Sequence, residues 1–361
     1  MLLVLLDAKM TTVDSGHSAP ITDIACDATG RLVATASEDK TVRVSLIFPV
    51  DQSSATQNAT AQPKPPELLT CLIEHQAPVL RVAWGDYRMS GSPLLSCDVD
   101  GNIILWKDVD ETKKSWTSVY TTRLQGPAVS LSWAPYDIGV MMFAAASSTG
   151  QVVVHLSNPD SKEWTKMPLE AHPSGCNAVS FCPSLPPSAL MALPTKPDGR
   201  GELNFPFPRL VTCGNERSLR IWKYAPQDRQ WLQERELNDL SGQNGSLSGS
   251  HPAAAHMAAP HSGVGDAAPM LDVAWAPNCG LPFTYIAAGG EDGTVIIYYQ
   301  DGLEGKWQST LLPTFSSAVC RLSWSLIGTF LSVACSDGTV TVWKEQSNGQ
   351  WTSEAAVPTP Q

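Results

Sequence analysis

The chain has 361 residues, 43% hydrophobic and 16% charged, which is ample to bury a core. Thirty-five acidic and 24 basic side chains give a formal charge of −11, and Lys and Arg are scattered without a run of three, so the basic footprint that binds a phosphate backbone is missing. Nine cysteines include no Cys-x-x-Cys pair and sit mostly in apolar stretches, which argues for buried thiols in a cytosolic or nuclear protein over disulfides or metal ligands.

Met1–Lys9 has five apolar residues between Met1 and Asp7, no charged leader, and too little length for a signal segment or a membrane span. It is expected either to add a strand to the last sheet or to fray, and membrane association is expected only through a partner. Met10–Ser15 reads as extended. A first unit runs from His17 to about Phe48: Thr22, Ile24 and Cys26 alternate on one strand, Asp39-Lys40 marks a turn, and Thr41 to Val44 is β-branched. Residues 51–66 are a polar, Pro-containing loop, after which Leu68–Ile73 is an outer strand. The second unit, His75 to Lys107, repeats the scheme with Leu80, Val82, Trp84, then Asp100-Gly101, then Asn102 to Trp106. The third, Gly126 to Leu156, has Val129, Leu131, Trp133, then Thr149-Gly150, then Gln151 to Leu156. The fourth opens at His172 with Asn177, Val179 and Phe181. It carries a Pro-rich insertion at about 184–208, and resumes at Arg209 to end its third strand at Trp222. Residues 240–268 are rich in Gly, Ser, Ala and Pro, and read as a disordered loop in which His251, His256 and His261 fit neither a helix face nor a strand face. The fifth unit, Pro269 to Tyr299, has Leu271, Val273, Trp275, then Asp292-Gly293. The sixth has Cys320, Leu322 and Trp324 on one expected face, a small apolar run from Phe330 to Cys335, the turn Asp337-Gly338, the strand Thr339 to Trp343, and a second turn at Asn348-Gly349.

Six copies of strand, strand, Gly-type turn and strand make a repeat. A second Trp trails five of them, at 116, 164, 231, 307 and 351. A short antiparallel unit that cannot bury its own faces, repeated with a Trp closing its third strand, is one blade of a β-propeller, as in the WD repeat. The expected fold is therefore all-β: a six-bladed WD-repeat β-propeller in one domain. Its units fall at about 11–48, 68–120, 124–168, 169–236, 269–312 and 314–357, with insertions at 51–66, 184–208 and 240–268.

His17, His75 and His172 each open a unit. In WD repeats such a His bonds to a turn Asp, a strand Ser or Thr and the third-strand Trp, and His75, Ser96 and Trp106 suit that set. A structural role is therefore expected for these histidines and for Trp106, Trp222 and Trp343. Six-bladed propellers also house glycosidases, but Ser336-Asp337-Gly338-Thr339 is a hairpin and not a sialidase box. The repeat aspartates sit at turns, where they favour tight backbone geometry. No nucleophile elbow, phosphate-cradling loop or zinc spacing is present in the sequence, so neither an enzyme nor a cofactor or metal is expected.

Several strings resemble one family more closely than a generic repeat: HQAPVLRVAW at 75–84, SWAPYDIGVMMFAAASSTG at 132–150, AHPSGCNAVSFCP at 171–183, DVAWAPNCGLPFTYIA at 272–287 and VTVWKEQSNGQW at 340–351. They look like the small WD-repeat propeller of the COPII outer coat, which is also a subunit of the nuclear pore Y-complex (Sec thirteen-type), and the resemblance runs from about Thr11 to Trp351. It implies an open ring of six blades, into which a helical-solenoid partner inserts a seventh between the first and last. Unpaired sheet edges invite that kind of β-augmentation. The lips of such a gap would be the edges of blades one and six, where the short β-branched side chains of Thr41, Val42 and Val44 on one side and Val340 and Val342 on the other suit packing against inserted strands. The implied function is a non-enzymatic scaffold in ER-to-Golgi transport and at the nuclear pore. Its partners would be the COPII outer-coat solenoid protein and a Y-complex nucleoporin solenoid, with a vacuolar or lysosomal coat-like signalling complex as a third assembly. The implied location is the cytoplasmic face of the endoplasmic reticulum, COPII vesicles and the nuclear envelope. The competing reading is another WD adaptor, a ubiquitin-ligase receptor or chromatin-complex subunit, which would usually close its own ring.

Overall fold

The β-branched and aromatic runs form strands, and the Gly-containing dipeptides form the reversals between them. A computed structural model of the chain describes residues 14–47, 66–184, 208–237 and 268–357, apart from 90, 111, 162, 279, 281 and 303–304. Met1–Lys9 and, except at their ends, the insertions at 51–66, 184–208 and 240–268 lie outside the described residues.

Each sheet is built from four consecutive antiparallel strands. Blade one holds β1 (Ile21–Cys26), β2 (Leu32–Ser37), β3 (Val42–Leu46) and β4 (Glu67–Leu72). Blade two holds β5 (Val79–Trp84), β6 (Leu94–Asp98), β7 (Asn102–Asp108) and β8 (Trp116–Arg123). Blade three holds β9 (Ala128–Trp133), β10 (Met142–Ser147), β11 (Gln151–Ser157) and β12 (Trp164–Glu170). Blade four holds β13 (Cys176–Phe181), β14 (Arg209–Gly214), β15 (Leu219–Ala225) and β16 (Gln230–Leu237). Blade five holds β17 (Met270–Trp275), β18 (Phe283–Gly290), β19 (Val295–Asp301) and β20 (Gln308–Leu311). Blade six holds β21 (Val319–Trp324), β22 (Phe330–Cys335), β23 (Val340–Glu345) and β24 (Trp351–Val357). The arrangement is the expected six-bladed propeller. One boundary moves: β4 pairs with β3, so the first sheet extends to residue 72, past the 11–48 unit, and residue 68 belongs to it and not to the second.

The six turns between second and third strands all place one residue at positive φ: Lys40, Gly101, Gly150, Arg217, Gly293 and Gly338. Glycine is obligatory at the tightest, since a Cβ on Gly150 would lie 1.8 Å from the His172 carbonyl oxygen.

Every first strand carries a bulge at the same place, shifting register between Ile21/Asp23, Val79/Arg81, Cys176/Ala178, Met270/Asp272 and Val319/Arg321, and opposite Ala146/Ser147 in blade three. A bulge turns the preceding side chain to the other face. The core residues are therefore Val79 and Val82, while Leu80 is half-buried. By the same shift Cys320 is exposed and Val319 is buried, which corrects the expected Cys320–Leu322–Trp324 face. Cys71 is exposed too, and among the described cysteines Cys97, Cys176, Cys213 and Cys335 are the buried ones.

Five hydrophobic clusters join blade to blade. One packs Ala34, Ala36, Val42 and Val44 of blade one against Leu94, Ile104 and Trp106 of blade two. The others link two with three, three with four, four with five, and five with six. Among the described residues no such cluster links six with one.

Candidate functional site

The histidines that open the units are bonded inside their blades. In blade two, Asp98 lies 2.9 Å from His75 Nδ1, His75 Nε2 lies 2.6 Å from Ser96 Oγ, and Trp106 Nε1 lies 2.8 Å from the same hydroxyl. A carboxylate only accepts, so His75 donates to Asp98, Ser96 donates to His75, and Trp106 donates to Ser96. Burial opposes ionisation of Asp98, but the bonds from His75 and Asn102 outweigh it and hold its carboxyl below the usual range. The acid is thus Asp98, two residues before the turn residue Asp100. Blade four repeats the chain as Glu216, His172, Thr212 and Trp222, at 3.0, 2.9 and 3.0 Å. Blade one has Asp39, His17 and Thr35, at 2.9 and 2.8 Å, but no Trp. Blade six has no such His, and Trp343 Nε1 donates to Thr341 Oγ1 at 2.8 Å. These bonds tie strands together within each blade.

The pairing registers superpose the repeats row by row. Trp84, Leu94 and Trp106 stand opposite one another in blade two. The same row is Trp133, Phe143 and His155 in blade three; Phe181, Leu210 and Trp222 in blade four; Trp275, Ile286 and Tyr298 in blade five; and Trp324, Leu331 and Trp343 in blade six. Each of these five rows faces the preceding blade with at least two ring side chains. In blade one the row is Cys26, Val33 and Ser45. Its neighbours Ile21 and Ile24 are 46% and 40% exposed, where the equivalent Val79 and Val82 of blade two are buried. Burial of the second strands shows the same asymmetry. Strand β6 is buried throughout, whereas β22 alternates, with Leu331, Val333 and Cys335 buried and Phe330, Ser332 and Ala334 half-buried. One face of blade six and the opposite face of blade one are therefore without a packed neighbour among the described residues, and these two faces bound a seam.

The sequence-predicted lip residues fall on both sides of this result. Val340 and Val342 alternate with Trp343, which packs on blade five, so they occupy the seam face of blade six, each 7% exposed. Val42 and Val44 occupy the same repeat positions in blade one, since Ala36 pairs with Val42 as Ala334 does with Val340. That face meets blade two, and both are fully buried there. Thr41 donates to Asp39 at 2.7 Å and completes a turn. Thr41, Val42 and Val44 are thus not lip residues. The reason is geometric: the two sides of a gap are opposite faces of equivalent sheets, so one repeat position cannot line both. The blade-one side is Ile24, Cys26, Val33 and Ser45.

Charges at the inner end were not foreseen. The residue after each bulge lies on the face toward the next blade: Asp23, Arg81, Ser130, Ala178, Asp272 and Arg321. Three of these bond to the next blade, with Asp23 accepting from Val82 N at 3.0 Å, Ser130 from Val179 N at 3.2 Å and Asp272 from Leu322 N at 2.8 Å. Arg321 instead donates across the seam to Asp23, the one described hydrogen bond between blades six and one. Burial raises the Asp272 carboxyl despite Arg321 and the Leu322 amide. Aligning the repeats after allowing for the bulge would have found this ring of positions. His155, in the Trp place of blade three, was also missed. It stacks on Phe143 at 4.6 Å, and burial, with Lys166 adding to it, lowers it to about 3.

Comparison with known proteins places these observations in a family. The WD domain, G-beta repeat family matches residues 8–44 and 307–344. The chain is 32% identical to "Protein transport protein SEC13" of Cryptococcus neoformans, over 95% of this chain and 96% of that protein. It is 33% identical to "Protein SEC13 homolog" of Drosophila melanogaster, over 94% of this chain and 81% of that one. With "Protein transport protein SEC13" of Mycosarcoma maydis it shares 29% identity over 97% and 95%.

Proposed function

This chain belongs to the SEC13 family of WD-repeat proteins, and from that membership we propose that it is a non-enzymatic scaffold subunit in protein transport, carried by the COPII coat. The observation that carries the reading is the seam: six blades joined by five cores, with apolar side chains left half-exposed on blade one. A blade supplied by the COPII outer-coat solenoid protein, docked between Val340 and Val342 on one side and Ile24 and Val33 on the other, provides the missing packing and pairs open edges. A propeller clamped in this way stiffens the rod it sits on, so that a cage can hold membrane curvature. The same seam serves a Y-complex nucleoporin solenoid at the nuclear envelope and a solenoid of a vacuolar or lysosomal coat-like signalling complex. The chain then works at the cytoplasmic face of the endoplasmic reticulum and on vesicles, peripheral to the membrane through its partners. Neither nucleic acid nor a cofactor enters this reading.

The test is gentle affinity isolation of the tagged chain from its own cells, with co-purifying proteins identified by mass spectrometry. Near-stoichiometric recovery of a helical-solenoid coat protein is expected. Cullin-adaptor or chromatin subunits without a solenoid partner would overturn the reading in favour of a different WD adaptor.

A further inference from the structure

Blade three lacks the whole set of hydrogen bonds that ties blades two and four. Leu124 precedes Ala128 by four residues, as His75 precedes Val79. Ala145 pairs with Leu131 and Val153 as Ser96 pairs with Val82 and Ile104, and His155 pairs with Phe143 as Trp106 pairs with Leu94. Two bonding side chains are thus replaced by apolar ones, and an indole by a smaller ring. In blade two the Trp106 N–H reaches the Ser96 hydroxyl, but Ala145 has nothing to offer His155.

A pocket of about 280 Å³ lies at this place, between blades two and three and on a different interface from the seam. Leu124, Val153 and Pro168 give it an apolar wall, and His155, Arg123 and Lys166 a polar one. His155 is 0% exposed, and its Nε2 has no hydrogen-bond partner among the described residues. A neutral ring protonated at Nδ1 would leave both the Tyr120 proton and Nε2 unsatisfied. With Tyr120 donating to Nδ1 at 3.2 Å, only an Nε2 N–H is left over. Burial, with Lys166 adding to it, keeps the ring neutral at pH 7. Lys166 stands opposite His155 on β12, and Arg123 gives its Nε to the Asp100 carbonyl at 3.0 Å. Neither makes an ion pair among the described residues, and no described carboxylate lines the pocket. In a chain of formal charge −11, two unpaired cations and a buried unsatisfied donor around one cavity reverse the general balance.

We propose that this pocket binds a carboxylate carried on a short aliphatic body. Lys166 and Arg123 supply charge-assisted hydrogen bonds to the carboxylate, and the His155 N–H gains the acceptor that its own blade does not provide. The aliphatic body lies along Leu124, Val153 and Pro168. The volume is at the small end for a ligand site, which suits a free dicarboxylic acid or one glutamate side chain of a peptide. Both present the same chemistry to the same three donors.

The test is saturation-transfer NMR on the full chain with four probes: glutarate, an N-acetylated Gly-Glu-Gly amide, inorganic phosphate, and glutaramide as the uncharged control. Glutarate or the peptide is expected to bind, and glutaramide is not. Tighter binding of glutarate assigns the site to a free acid, and tighter binding of the peptide assigns it to an acidic segment of a protein. Lys166→Gln, on an exposed strand position, should weaken that binding by about tenfold, the worth of one charge-assisted hydrogen bond. His155→Phe keeps the ring stack and removes the N–H, and should weaken it by a similar factor. No binding of either carboxylate would overturn the proposal, as would glutaramide binding as tightly as glutarate, or phosphate binding more tightly than both. Unchanged affinity in Lys166→Gln would overturn it too, whatever the folding of His155→Phe. Unchanged affinity in a folded His155→Phe would remove the ring from the site and with it the reason for placing the carboxylate there.

Discussion

Ile24 and Val82 occupy one repeat position in neighbouring blades, opposite Thr35 and Ser96 respectively. The same substitution at both is therefore a controlled comparison of a face with a neighbour and a face without one. Val82 is 5% exposed inside the core between blades one and two. Val82→Asp forfeits about 1.5–2 kcal/mol of apolar burial and adds about 1–3 kcal/mol for a polar group without a partner, so a loss of about 3–5 kcal/mol is expected. Ile24→Asp, at 40% exposed, should cost under about 1 kcal/mol in the isolated chain. Urea unfolding followed by the fluorescence of the twelve tryptophans reads both, and the two midpoints should differ by at least about 0.7 M for a slope near 2–3 kcal/mol/M. Equal losses for the two variants would mean that the back face of blade one is packed like the others, and the seam would have to be abandoned.

Three further outcomes are expected. Ser96→Ala strands both His75 Nε2 and Trp106 Nε1 in a buried site and should cost about 2–4 kcal/mol, whereas Thr35→Ala, with no indole to strand, should cost about half as much by the same unfolding assay. His155 is depressed to about 3 in the fold against about 6.5 unfolded, so below pH 6.5 the unfolded chain takes up the proton first. Stability from this site is complete above pH 6.5 and falls by about 1.4 kcal/mol per unit as pH drops toward 3. His172, lowered by burial against the pull of Glu216, adds to the same window. His155→Phe, which keeps the stack on Phe143, should flatten the stability profile between pH 6.5 and 4, and an unchanged slope would remove His155 as its source. Gly150→Ala drives a Cβ into the His172 carbonyl and should cost more than about 2 kcal/mol, while Gly349→Ala, at φ +77 with nothing within 4 Å, should cost about 1 kcal/mol; equal shifts in melting temperature would contradict the turn geometry.

The propeller was legible because its punctuation is local. A Gly or Asp turn and a closing Trp recur at offsets that only a blade satisfies, and the His75 set could be named from three residues. The errors came from relations that are not local. Strict alternation put Cys320 inside because nothing in SAVCRLSW marks a bulge; only the pairing of Val319 with Cys335 and of Arg321 with Ala334 reveals it. Val42 and Val44 were placed on a lip because β-branched residues suit an edge. Which face of a sheet meets which neighbour is set by the ring, however, and the two lips are opposite faces. Asp23 and Arg321 are 298 positions apart and meet only across the seam between blades six and one. His155 went unnoticed because it fills a tryptophan's place with a smaller ring.

With the seam open as proposed above, the six blades form a thermodynamically linear array with two ends. Interior blades share a core with two neighbours, and blades one and six, among the described residues, with one each. Local opening should begin at the ends, so amide exchange should be fastest in β1–β3 and β21–β23, although they lie beside each other in space. A ligand at the seam converts the array into a circle and protects its two weakest units at once. At a hundredfold excess over its dissociation constant it adds about 2.7 kcal/mol to the whole chain. Assembly and the lifetime of the fold are then one equilibrium, and subunits left without a partner are those most exposed to proteolytic clearance.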